Sequence, residues 1–274
     1  MLDLSVIMTT YNENVIFLRS CIDSICKQTF KNLEFIIVVE PDEINLNFLR
    51  ELAQIDQRIK IIKNDNKLGV ASSRNRAITE STGQFVAIID GDDYCDMTRF
   101  EKQVEFLNKN PYIGIVGSNM YLVDGNNNIV GERNYPELHK DIKNYFLLTM
   151  SIANPTVMIR RKDLEETGLF DTTFSKAEDF ELWLRFLSLN KQMHNLQENL
   201  VYYRIQTTHN EKRGAIHWKN NYSARKKYSK FIWHFHERCL SLIFFYIMNH
   251  APRYFLDNLL NLKIVNKIKN IKIQ

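Results

Sequence analysis

Over the first 110 residues, short continuous apolar runs alternate with apolar positions at helical spacing. Residues 4–8, 35–39, 59–62 and 85–89 are runs rich in Val, Ile and Phe, as strands covered on both faces should be. Between them, Val15, Leu18, Cys21, Ile22 and Ile25 fall on one helical face, and Leu46, Leu49, Leu52 and Ala53 on another. Residues 71–80 read as a third helix, and Phe100, Val104 and Leu107 mark a fourth. Strand and helix in strict alternation predict an α/β fold, a mostly parallel central sheet with helices on both faces.

The rhythm changes after residue 110. Residues 113–116 and 120–123 read as two strands, and Asp124-Gly125 opens a turn towards Ile129-Val130. Residues 156–159 are a further strand, with Asn154-Pro155 before it. Tyr203-Arg204 follow another. Phe180, Trp183, Leu184 and Leu187 make a strongly amphipathic helix. Past residue 212 the pattern is helical, basic and aromatic. The organisation expected is a body over residues 1–211, split near 110, and a basic helical tail over 212–274.

Charge sharpens that division. The net charge is +4, but residues 212–274 hold 13 basic and 2 acidic side chains, while residues 1–211 hold 23 basic and 30 acidic. An acidic body carrying a basic tail predicts an anionic partner for the tail or a solvated helical face. The four cysteines have no paired or zinc-ligand spacing, which fits a reducing cytoplasm. No run reaches the ~18 apolar residues of a membrane span, and the start of the chain lacks the marks of a signal peptide.

In an open parallel sheet, ligands bind beyond the carboxyl ends of the strands. Three strand ends carry polar clusters: Thr9-Thr10-Tyr11-Asn12, Glu40-Pro41-Asp42 and Asp90-Gly91-Asp92-Asp93. Three carboxylates within four residues repel one another unless a cation lies among them. Hard oxygen donors suit Mn²⁺ or Mg²⁺, and Gly91 lets the backbone turn and a ligand approach. The plainer alternative is an ordinary acidic turn that caps a helix.

These motifs, in this order over about residues 3–210, resemble the family 2 glycosyltransferases. Ser5-Val6-Ile7-Met8-Thr9-Thr10-Tyr11-Asn12 is similar to that family's opening strand and loop. Ser24-Ile25-Cys26-Lys27-Gln28-Thr29-Phe30 resembles its first helix end, and Asn66 to Asn75 its glycine loop with an Arg-Asn helix start. Asp90-Gly91-Asp92 resembles its Asp-x-Asp metal motif, and Glu178-Asp179 its base motif. The resemblance implies a GT-A fold and an inverting, metal-dependent transfer from a nucleotide sugar, UDP-hexose or UDP-N-acetylhexosamine, in bacterial polysaccharide, lipopolysaccharide or capsule synthesis. It implies that Thr9, Tyr11 and Glu40 hold the nucleoside, and that Asp90, Gly91 and Asp92 hold the donor with its metal on Asp92 and Asp90. Arg74 would meet the diphosphate, as a guanidinium near a helix N-terminus can. Asp179 would be the general base, with Glu178 orienting it or the acceptor. One departure stands out: Val39-Glu40-Pro41-Asp42 replaces the family's usual Asp-Asp-Gly-Ser, so Glu40 takes the place of the second Asp.

For the tail, basic residues among Trp, Tyr and Phe predict an interfacial helix on the inner face of a membrane, next to a lipid-linked saccharide acceptor. Packing on the body, or on a second subunit in a homo-oligomer, is the alternative. Nucleic acid is not an expected partner, because an acidic catalytic face repels phosphate. The rival to an enzyme is a non-catalytic sugar-nucleotide binder or scaffold of the same fold. It would be expected to lack Asp92 or Asp179.

Overall fold

The structure, a computed structural model, describes residues 2–205, 215–250 and 271–273. Its first part is the alternation that the apolar pattern predicts: β1 (Leu4–Thr10), α1 (Val15–Cys26), β2 (Leu33–Val39), α2 (Glu43–Ile55), β3 (Ile59–Lys63), α3 (Val70–Thr79) and β4 (Phe85–Ile88). These four strands are parallel in the order β3-β2-β1-β4, with Leu4 opposite both Leu33 and Phe85. Alternate residues serve two cores. Val6, Met8, Phe35 and Ile37 pack towards α1, α2 and α4 (Arg99–Lys109), while Ile7, Ile36 and Val38 pack towards α3 and the later helices. Burial on both faces is why these strands read as unbroken apolar runs.

The second part extends the sheet in mixed directions. Its elements are β5 (Tyr94–Cys95), β6 (Ile113–Val123), β7 (Ile129–Arg133), α5 (His139–Tyr145), β8 (Met158–Arg160), α6 (Arg161–Thr167), α7 (Glu178–Ser188) and β9 (Gln192–Arg204). The sheet runs on through β4-β8-β6-β7 with antiparallel neighbours, while β9 lies parallel to β6 and pairs with β5. The two strands expected over 113–116 and 120–123 are one strand, because Gly117-Ser118-Asn119 continue the ladder to β9 through local register shifts. The β6–β7 turn forms at Asp124, whose carboxylate accepts from the backbone N–H groups of Asn126 and Asn128.

β9 begins well before Tyr203, at Gln192, within a polar stretch that gives no apolar alternation. It is held by side chains instead: buried Asn195 donates to the carbonyls of Pro136 and Ser151 at 2.7 and 2.9 Å. After the undescribed residues 206–214, where the expected boundary at 211 falls, come α8 (Ala215–Ile232) and α9 (Phe235–His250). β10 (Ile271–Ile273) adds an antiparallel strand to β7. Among the described residues no helix is long and apolar enough to cross a membrane.

The start of the parallel sheet depends on one glycine. Ser5 Oγ donates to Glu34 and accepts from Gly83 N–H, while Thr82 N–H and Lys60 complete the shell of the buried Glu34 carboxylate. A Cβ on Gly83 would stand 2.5 Å from the backbone of Leu4 and Ser5. Backbone atoms of a central strand cannot give way, so Gly83→Ala should cost roughly 2–4 kcal/mol in urea unfolding with an unchanged m-value.

Candidate active site

The adjacent parallel strands β2, β1 and β4 end on one edge of the sheet, which brings the three polar clusters together. At the end of β1, Thr9 is half-buried and Tyr11 is 39% exposed. Lys67 Nζ lies 3.8 Å from the centre of the Tyr11 ring, a cation–π contact from the loop before α3. Asn12 adopts the left-handed conformation (φ 53°), which Asn tolerates. Its N–H donates to Asp42, the N-cap of α2, so the loops after β1 and β2 are tied together.

Glu40 faces inward. It is 5% exposed, and its carboxylate accepts from Leu68 N–H (2.8 Å), Gly69 N–H (2.9 Å) and Ser73 Oγ (2.6 Å). Gly69 is the N-cap of α3 and offers no side chain, so Glu40 supplies the cap from a neighbouring strand. Both its oxygens are engaged by protein donors, and its geometry is that of a clamp on the glycine loop. The nucleoside contact expected of Glu40 would have to share a carboxylate already bound in this way.

Arg74 sits one turn into α3 with its side chain 7% exposed. Its Nη2 donates to Asp90 at 2.9 Å and its Nη1 to Glu178 at 2.8 Å. One guanidinium thus joins the end of β4 to the start of α7, reaching a carboxylate 104 residues further along the chain than Arg74 itself. Burial alone would lower its pKa. Asp90, Glu178 and Asp179 more than offset that, so the net direction is upward.

The Asp90–Asp93 turn has half-buried Asp90 and Asp92 and buried Gly91 and Asp93. It is fastened from the far side by Arg204 at the end of β9. Arg204 donates its backbone N–H to Asp93 Oδ1 (2.8 Å), its Nε to the Asp92 carbonyl (2.9 Å) and its Nη1 to the Asp124 carbonyl (2.7 Å). Its guanidinium also lies 4.0 Å from the Phe17 ring centre. Burial first, then the charges of Asp92 and Asp90, push the Asp93 carboxyl well above the usual range. Asp93 and Arg204 therefore fix the turn, a role that the sequence reading did not give them. Its only signals were a third Asp after the Asp-x-Asp pair and an Arg at a strand end.

Glu178 and Asp179 open α7. The preceding N-cap is Ala177 in the left-handed conformation (φ 60°), a strained setting for a residue with a Cβ. Asp179 Oδ1 accepts from Phe180 N–H at 2.7 Å. Burial, then the neighbouring Glu178 charge, raise the Asp179 carboxyl to about 7 against the pull of Arg74 and this hydrogen bond.

Among the described residues no three His, Cys, Asp or Glu side chains converge into a metal cage. The Asp90/Asp92 pair still fits an ion of the magnesium class, which takes one or two carboxylates and completes its shell with substrate phosphates. His209, near where the family often carries a further His, lies outside the described residues.

The chain matches the description Glycosyl transferase family 2 over residues 5–168. It is 31% identical to an uncharacterised glycosyltransferase of Methanocaldococcus jannaschii, over 94% of this chain and 93% of that protein. It is 33% identical to WfgD of Escherichia coli, named as a UDP-Glc:α-D-GlcNAc-diphosphoundecaprenol β-1,3-glucosyltransferase, over 68% of this chain and 70% of the relative. Among solved structures it resembles the mannosyltransferase PcManGT of Pyrobaculum calidifontis, in complex with GDP-Man and Mn²⁺. The TM-score is 0.68 at 16% identity, covering 96% of this chain and 82% of that one. At that identity the likeness speaks for the fold, and the fold is GT-A with a helical C-terminal region.

The raised Asp179 carboxyl has a consequence for stability. Its folded value of about 7 lies above the ordinary 3.8, so the folded state binds the extra proton and stability is lost as pH rises from ~4 through ~7. Asp179→Asn removes that penalty. Without nucleotide, it should raise Tm by roughly 3–6 °C at about pH 8 and by about half as much or less at about pH 5. Differential scanning calorimetry at the two pH values checks it, and an equal shift at both would count against a shared-charge origin.

Proposed function

This chain belongs to glycosyl transferase family 2, and we propose that it transfers one sugar from a nucleoside-diphosphate sugar to an acceptor hydroxyl with inversion at the anomeric carbon. The observation that carries this reading is the Asp90–Arg74–Glu178 bridge, which ties a metal-type Asp-x-Asp turn to a helix start bearing a carboxyl of pKa about 7. A general base works best with a pKa near the working pH.

Tyr11 stacks on the base and Thr9 contacts the nucleoside, while Glu40 holds the glycine loop against them. The Cβ position of Gly91 faces Glu13, Leu18 and Met8, so Gly91 serves the donor through its backbone beside Asp90, and Arg74 adds a positive charge at the same edge. Asp92 and Asp90 would hold Mn²⁺ or Mg²⁺ together with the donor's phosphates. When bound, that ion offsets the negative charge that builds up on the leaving diphosphate. Asp179 takes the proton from the acceptor hydroxyl as its oxygen bonds to the anomeric carbon. The bond from that carbon to the diphosphate oxygen breaks, releasing the nucleoside diphosphate. An α-linked donor then gives a β-linked product. Glu178, held by Arg74, keeps Asp179 on the side opposite the leaving group.

In this reading residues 1–110 bind the donor, residues 111–211 the acceptor, and residues 212–274 attach the enzyme peripherally to the inner face of a membrane. The E. coli relative's name supports UDP-hexose as donor and a diphosphate lipid-linked saccharide as acceptor, in surface polysaccharide assembly. GDP-Man in the P. calidifontis complex makes GDP the nucleotide to test beside UDP, and Mn²⁺ there supports the metal.

Thermal unfolding with UDP, GDP, CMP and dTDP, each with and without Mn²⁺, tests the donor site. One nucleotide should stabilise the protein by ~2.7 kcal/mol at a hundredfold excess over Kd, only with Mn²⁺, and the effect should vanish in Asp92→Asn. Absence of any shift at saturation would bring forward a non-catalytic scaffold. With the donor identified, Asp179→Asn should lower kcat by about 10²–10⁴ at unchanged nucleotide affinity, and wild-type activity should fall as pH drops below ~7.

A further inference from the structure

α9 is apolar on two adjoining faces. One face carries Ser241, Phe245 and Met248 and is buried against the rest of the protein. The other carries Leu240, Ile243, Phe244 and Ile247, spaced i, i+3, i+4, i+7, and lies in the open, with Leu240 69% and Ile247 55% exposed. At the α8–α9 corner two more aromatics stand out, Phe231 and Phe235, the latter 74% exposed. Each has a cation against its ring: Lys230 at 4.7 Å from Phe231 and Arg238 at 5.7 Å from Phe235. A groove of about 500 Å³, lined by Tyr145, Leu147, Leu148 and Leu240 together with polar residues that include Glu237, continues this surface beside the start of α9. A helix this broadly apolar is normally covered on both faces.

Charge indicates what covers this face. α8 and α9 carry Lys219, Arg225, Lys226, Lys227, Lys230 and Arg238 against Glu237 alone. Arg225 is buried, Lys227 faces Asp171 and Glu181, and Arg238 is half-buried, which leaves Lys219, Lys226 and Lys230 exposed on α8, with Lys230 against the exposed Phe231 ring at the corner of the apolar patch. A second copy docked through the same face would set these cations against their own kind. Residues 251–270 are themselves basic, with Arg253, Lys263, Lys267 and Lys269 against Asp257, and would not neutralise them. An anionic phospholipid leaflet meets both demands, burying the apolar stripe and pairing the cations with headgroups.

We propose that the exposed α9 stripe and the Phe231/Phe235 corner form a docking face for anionic lipid bilayers, with the adjoining groove open to a lipid chain. This deepens the membrane-attachment reading above. Its readout needs no turnover, so it stands or falls separately from the transfer reaction.

The test is co-sedimentation of the full chain with vesicles of phosphatidylcholine alone or mixed with phosphatidylglycerol, at low and high salt. The chain should bind the mixed vesicles at least about tenfold more tightly than the neutral ones, and less tightly at high salt. Ile243→Glu/Ile247→Glu should lose that binding while keeping the wild-type Tm. Should that variant not fold, Phe231→Ser/Phe235→Ser replaces it, and Lys226→Glu/Lys230→Glu should weaken binding to the mixed vesicles alone. Equal affinity for both vesicle types, no binding, or a folded stripe variant that binds like wild type overturns the proposal. So does a wild-type dimer in sedimentation velocity that the stripe variant abolishes without any vesicle binding, because that assigns the face to a second copy.

Discussion

The arrangement of the candidate site depends on one buried cation. Arg74 is nearly out of contact with water, and such a charge is tolerated only where partners satisfy it. Its partners come from two elements that the chain reaches far apart, Asp90 at the end of β4 and Glu178 at the start of α7. The energetic demand of the guanidinium is therefore a positional demand on both. The end of β4 and the start of α7 cannot separate without stranding a buried charge, so their spacing is set by electrostatics as much as by packing.

Two further clamps act on the same edge. Glu40 engages the amides that open α3, and α3 carries Arg74. Arg204 grips the Asp92 carbonyl and the Asp93 carboxylate from β9. Together they fix the glycine loop and the acidic turn on either side of Arg74. Asp179 feels the result. Desolvation and Glu178 drive its pKa up, but Arg74 divides its charge among three carboxylates and pulls the value only part of the way back. A carboxyl held near neutrality, where an isolated one would be ionised far lower, reflects this crowding of negative charge around one shared cation.

Much of this was legible in the sequence where the physical cause is local. Strands buried on both faces must be apolar throughout, so β1 to β4 showed themselves, and the strand-end rule pointed to the edge that carries Tyr11, Glu40 and Asp90, while Arg74 and Asp179 came from the family resemblance. What stayed hidden was tertiary. β9 is stabilised by Asn195 and by its place beside β6, not by alternation, so its polar composition concealed most of its length. Glu40 followed the pattern of a ligand-facing loop carboxylate. Only the packing of α3 against β2 reveals that it points back into the protein. Asp93 and Arg204 are 111 residues apart in the chain, and no spacing rule links them.

The C-terminal hairpin is also more than an appendage. Tyr228 of α8 donates to Glu181 of α7 at 2.6 Å, two residues on from Asp179. Arg225 is fully buried with no carboxylate beside it among the described residues, and burial pushes its pKa well down. Its Nη groups donate to Asn221 and the Phe146 carbonyl, and its guanidinium lies between the rings of Phe180 at 4.2 Å and Phe245 at 3.5 Å. Phe180 belongs to α7 and Phe245 to the inner face of α9. Cutting the chain within α9 would uncover one side of this cation and disturb α7 at the same time. Loss of activity after such a truncation would say nothing about where the enzyme works, whereas substitutions confined to Ile243 and Ile247, on the other face of the helix, leave the Arg225 sandwich intact and separate attachment from catalysis.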